Sequence, residues 1–144
     1  MTAWRDSTSS EAQDDLDGLF NAGLEAAESL LAKRGEFFPF GIEVDGEELC
    51  LFGADPGLGE QPPSVEVLRA LVEAARSDRA RLEAVALVSD VTTVGEGDAV
   101  RVQLEHREGV ALEIVVPYRR RRFGGKVGFG EMAVSGGSRL IWVD

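Results

Sequence analysis

The stretch Phe37-Phe38-Pro39-Phe40-Gly41-Ile42-Glu43-Val44-Asp45-Gly46-Glu47-Glu48-Leu49-Cys50-Leu51-Phe52 decides how this chain begins its sheet. Two runs with alternating apolar residues are joined by Asp-Gly. Both central positions of a type I′ turn need positive φ, which makes Asp-Gly between such runs a strong short-range hairpin signal. A two-residue loop at Asp45-Gly46 sets Ile42 opposite Leu49 and Phe40 opposite Leu51. Phe38, Phe40, Ile42, Leu49 and Leu51 are then expected on the buried side, with Glu43, Glu48, Cys50 and Phe52 on the other. Pro39 cannot donate to a ladder, so it argues for an edge position.

Upstream, residues 1–9 are polar and aperiodic and read as a disordered tail, leaving residues 10–144 as a single domain. Ser10 and Gln13 fit a capping box, and Leu16, Leu19, Phe20, Leu24, Ala27, Leu30 and Leu31 recur at helical spacing. The opposite face of this first helix carries Asp14, Asp15, Asp17, Asn21, Glu25 and Glu28. Lys33 and Arg34 complement the dipole in the last turn, and Gly35 is the expected stop.

Downstream, residues 53–63 are rich in Gly and Pro and read as a connection. Ser64 is then expected to cap a second helix over residues 64–79, with Val65, Leu68, Leu71, Val72 and Ala75 as its apolar stripe. Strands are expected at residues 84–94, 99–106 and 110–116. Arg107-Glu108-Gly109 suits a three-residue hairpin loop that sets Leu104 opposite Leu112 and Val102 opposite Ile114. Gly124, Gly125, Gly128 and Gly130 imply a loop, and residues 138–143 a further short strand. The order α-β-β-α-β-β-β gives an α+β fold, a two-layer sandwich of a mostly antiparallel sheet with helices on one face. That order resembles profilin-like and roadblock-like domains, a likeness that does not fix function.

The segment Leu30-Leu31-Ala32-Lys33-Arg34-Gly35-Glu36-Phe37-Phe38-Pro39-Phe40-Gly41, running into Asp45-Gly46, resembles a recurring feature of small uncharacterised bacterial proteins. That feature is a helix followed by a Gly-Glu-Phe-x-Pro-Phe hairpin. The resemblance implies no activity, and no functional residue is carried over from it.

Charge is distributed unevenly. Residues 1–60 hold 14 acids and 3 bases, whereas residues 61–144 hold 12 of each, so the whole net charge of −11 sits in the first part. Arg119, Arg120, Arg121 and Arg122 stand consecutively, with Lys126 close behind. One histidine and one cysteine leave almost no room for a catalytic triad or a zinc site. His106 ends an alternating run and reads as a strand-end or core-rim residue. Cys50 has no sequence-local base to stabilise a thiolate. Glu43 and Glu48, expected side by side across the hairpin, are too few to propose a metal site. Gly124-Gly125-Lys126-Val127 fails the phosphate-loop pattern, because Val127 replaces the required Ser or Thr. No catalytic residue, metal or cofactor is therefore assigned. Thirteen arginines against two lysines imply a GC-rich bacterial genome, and the absence of a signal-like or membrane-length apolar run implies a cytoplasmic protein.

What remains is a non-enzymatic interaction module. The expected partner surface is the acidic face of the first helix, through Asp14, Asp17 and Glu25, and the expected partner is a basic protein. Acidic inhibitors and immunity proteins work by this logic, as an analogy. Arg119, Arg120, Arg121 and Arg122 supply the alternative, binding of an anion or nucleic acid, or else self-association with the acidic part. A net charge of −11 argues against a polyanion.

Overall fold

The computed structural model describes residues 3–53, 63–93, 95, 97–120 and 127–143. Its elements are α1 (Ala3–Asp6), α2 (Ser10–Arg34), β1 (Phe40–Asp45), β2 (Glu48–Phe52), α3 (Ser64–Asp78), β3 (Ala84–Thr93), β4 (Gly97–His106), β5 (Ala111–Arg120), β6 (Val127–Phe129) and β7 (Ala133–Gly136). The strands form one antiparallel sheet in the order β2-β1-β3-β4-β5-β6, with β7 also paired to β5. The α+β class and the antiparallel sheet are as the sequence implies.

The N-terminal stretch, expected as a tail, instead holds a helical turn folded back on α2. Ser9, one residue before the expected cap, accepts the Ala12 N–H at 3.1 Å. The Gln13 side-chain amide donates back to the carbonyls of Arg5 and Thr8. At the other end Gly35, at φ 79°, donates its N–H to Leu31 O at 2.8 Å, the expected left-handed stop.

The first hairpin forms, but with Gly46 and Glu47 as its turn: Asp45 pairs with Glu48, Val44 with Leu49 and Ile42 with Leu51. Gly46 has φ 65°, while no non-glycine residue among those described has positive φ, which is the φ pattern of a type II′ turn with glycine first. The register is therefore two residues from the one expected, and a shift of two leaves every side chain on its expected face. Glu43 stands opposite Cys50 instead of Glu48. Pro39 precedes β1 and has no ladder bond to make, so β1 lies inside the sheet and β2 takes the edge.

The second hairpin has the expected register, with Leu104 opposite Leu112 and Val102 opposite Ile114, and Gly109 at φ 110° in its loop. Alternation along the strands then builds two cores. Ile42, Val44, Ala86, Val88, Val102, Leu104 and Ile114 pack with Leu16, Leu19, Ala27 and Leu31 of α2. Val85 and Leu87 point the other way and pack with Val67, Leu71 and Ala75 of α3 and with Leu82 and Ile141. The two long helices thus cover opposite faces of the sheet instead of sharing one layer, because consecutive residues of β3 are apolar on both sides. Each fully buried Leu contributes about 1.5–3 kcal/mol relative to exposure, so both helices are held chiefly by packing. Leu49 and Leu51, expected in the core, are 46% and 63% exposed, because β2 overhangs the helix that would have covered them.

The last expected strand also lies elsewhere. Residues 133–136 form β7, and residues 138–143 run as an irregular strap beside α3. Glu105, 5% exposed, receives the backbone N–H groups of Leu140, Ile141 and Trp142 at 2.6–2.9 Å. Arg79 donates to the carbonyls of Ile141 and Val143 at 2.8 and 2.7 Å.

Candidate functional site

The outer face of α2 is built by the same periodicity that builds its core face. At about 100° per residue, Glu11, Asp14, Asn21, Glu25 and Glu28 fall within an arc of about 100° on the side opposite Leu16, Leu19 and Leu31. All five are exposed. Glu11, Asp14, Glu25 and Glu28 make no ion pair among the described residues. This is a run of solvated carboxylates about two-thirds of the way along a 25-residue helix.

The fold treats the other carboxylates of α2 differently. Asp17 is held by Arg5 from α1, with Nη2–Oδ1 at 2.7 Å and Nη1–Oδ2 at 3.1 Å. The guanidinium also lies 4.4 Å from the centroid of the Trp4 ring. Its pKa is raised, first by the hydrogen bond to Asp17. Of the three acids expected at the partner surface, Asp14 and Glu25 are therefore free to face a partner, and Asp17 already has one. Glu11 and Glu28 complete the surface. Both sit at helical spacing from Asp14 and Glu25, and that spacing was the available signal. The loss of Asp17 had no local signal, since its partner lies in a segment read as a tail.

Asp15 faces the end of β4. His106, 3% exposed, places Nε2 at 2.9 Å from Asp15 Oδ2, while its Nδ1 accepts the Glu108 N–H at 3.1 Å. With Nδ1 accepting, the ring proton sits on Nε2 and is donated to Asp15. Nε2 thus joins helix to sheet, while Nδ1 holds the hairpin turn that follows β4.

The basic tract divides. Arg119 is exposed near the end of β5, opposite Gly128, and Arg120 is the last residue of that strand. Arg121 and Arg122 lie outside the described residues, as do the glycines at 124 and 125 and Lys126. Cys50 is exposed on β2. Glu43, 9% exposed, and Asp45 both accept from Arg81, at 3.2 and 2.7 Å, and Asp78 lies 3.2 Å from the same guanidinium. The hydrogen bond to Asp45, then that to Glu43, raises the pKa of Arg81 above its ordinary value. These carboxylates serve a cation of the chain itself.

Among the clefts that the described residues form, two carry aromatic or apolar walls. One, of about 840 Å³, lies at the C-terminal end of α2 against Phe37, Phe40, Leu51 and Phe52, with Arg34 and Asp90 among its charged residues. The other, of about 300 Å³, is apolar and lies between Trp4, Phe20, Leu104, Ile114, Met132 and Val134. Among the described residues, neither is lined by a histidine or cysteine. Among the described residues no helix is long and apolar enough to cross a membrane. No protein family matches the chain, and no curated protein or solved structure does so either.

Proposed function

We propose that this chain is a non-enzymatic, cytoplasmic bacterial interaction module that binds a basic protein partner through the exposed face of α2. The observation that carries the reading is the stripe Glu11, Asp14, Glu25 and Glu28, exposed and without an ion pair among the described residues. The other carboxylates of that helix, Asp15 and Asp17, are engaged by the fold. Solvated charges in one row lose little on meeting a complementary surface, and they raise the rate of encounter and select the partner's sign.

The test is a charge reversal, Asp14→Lys with Glu25→Lys and Glu28→Lys, all on the solvent face and so compatible with folding. Wild-type and reversed protein are immobilised and used to capture a basic protein from native lysate, which is then identified and titrated. The wild-type complex should weaken with salt, because exposed charges are screened over about 10 Å at 0.1 M ionic strength. Equal capture of the same basic protein by the folded, reversed variant overturns the reading.

A further inference from the structure

The edge strand β2 carries one charge, Glu48 at its turn end, and none beyond it. Its core, Leu49-Cys50-Leu51-Phe52, contains no charge and no proline. It leaves Leu49 46% and Leu51 63% exposed, with Phe38 close by at 51%. Edge strands of this kind are templates for pairing with another strand.

The hairpin determines which backbone groups face outward. Asp45 and Glu48 close a two-residue turn, and such a closing pair exchanges hydrogen bonds, so the alternation along an antiparallel ladder makes Glu43–Cys50 and Gly41–Phe52 hydrogen-bonded pairs as well. Leu49 and Leu51 fall between them and turn their N–H and C=O groups away from β1. The other side of β1 agrees: the Val44 carbonyl, opposite Leu49, is turned toward β3 and accepts the Glu83 N–H at 2.8 Å.

We infer that β2 pairs with β2 of a second copy of this chain, antiparallel about a two-fold axis at Cys50. This surface is separate from the α2 stripe, and either reading can fail without the other. Two features select a second copy as the occupant. Leu49-Cys50-Leu51 is the same read from either end, so the two-fold axis sets Leu49 of each copy opposite Leu51 of the other. Those are the two residues whose backbone groups face outward, so each Leu49–Leu51 pair exchanges both of its hydrogen bonds. The four leucines then lie on the same face as Ile42 and Val44, continuing that apolar face across a sheet shared by both copies.

Cys50 is the reporter. It meets Cys50 of the second copy as a non-hydrogen-bonded pair, for which Cα atoms lie about 4.5 Å apart, within the range of about 4.4–6.8 Å that a disulfide spans. Diamide accepts the two electrons and two protons released as the two thiols form the S–S bond. The full chain is oxidised with diamide and run on a non-reducing gel, and the reduced protein is examined by sedimentation equilibrium. The expected result is a reduced dimer and a rapid Cys50 cross-link. Leu49→Lys with Leu51→Lys, at two exposed positions, should keep the circular dichroism spectrum and melting transition. It should become monomeric and slow cross-linking by roughly tenfold or more, since like charges then stand opposite one another. Cys50→Ser with Ser77→Cys, which moves the thiol to the exposed face of α3, sets the rate for random collision. The inference is overturned if the reduced protein is monomeric throughout the concentration range, if Cys50 cross-links no faster than the Ser77→Cys control, or if the folded lysine variant remains dimeric.

Discussion

Oε1 of Glu105 accepts the backbone N–H of Ile141 at 2.9 Å, a buried carboxylate of β4 holding a strap that lies 36 residues further along the chain. The same oxygen takes the Leu140 N–H at 2.6 Å and Oε2 takes that of Trp142 at 2.9 Å, so one side chain satisfies three consecutive backbone donors. An ionised carboxylate suits this role because it only accepts.

Glu105→Gln should therefore loosen the strap. The amide presents an NH₂ group where an acceptor stood, leaving at least one backbone N–H of residues 140–142 without a partner, at a cost of roughly 1–3 kcal/mol. Urea denaturation should show the lower midpoint, and hydrogen exchange should accelerate at those three amides. Wild-type exchange rates there would show that the carboxylate is not what holds the strap.

Gly46→Val should cost about 1–3 kcal/mol, because a β-branched residue is forced into the left-handed region that Gly46 occupies at φ 65°. Gly46→Asn should recover part of the loss, since Asn tolerates that conformation better. Equal stability of all three proteins in chemical denaturation would mean that the turn is not built on Gly46.

Ser89 points in the opposite direction energetically. It is 1% exposed and its hydroxyl has no hydrogen-bond partner among the described residues. Ser89→Ala removes a desolvated, unpaired group and should stabilise by about 1 kcal/mol or more, read as a higher midpoint in urea. A fall in stability of similar size would show that the hydroxyl is bonded in solution.

The arginine tract should not make this protein a nucleic-acid binder, because a net charge of −11 opposes the approach of a polyanion. Fluorescence titration with mixed single- and double-stranded oligonucleotides at low salt should show no binding at micromolar protein. Binding that is lost on replacing Arg119, Arg120, Arg121 and Arg122 with serine, with a salt slope smaller by about 0.7–0.9 per lost contact, would transfer the function from α2 to the tract.

Legibility in the sequence followed the range of each interaction. The span and stop of α2, the second hairpin with its Leu104–Leu112 register, and the facing of every residue in the first hairpin were readable, because period, cap and turn chemistry act over a few residues. The two-residue error at Asp45-Gly46 arose because the same letters can place glycine second in one primed turn or first in the other, and alternation cannot separate registers that differ by two. Asp14 and Glu25 of the acidic stripe were legible for the same local reason.

By itself, the sequence determined that this is an acidic α+β chain with an amphipathic first helix and the two hairpins at residues 40–52 and 97–120. The tertiary structure decided which strand became the edge, which face α3 took, and which acids were left to solvent. Each of those depends on residues far apart in the chain. Arg5 reaches Asp17 from a folded-back turn, Asp15 meets His106 across 91 residues, and Leu49 and Leu51 stay exposed because α2 ends short of β2. Side-chain patterning records that a face is apolar or charged, whereas the choice of what covers it is made by packing between elements, which no local window of sequence contains.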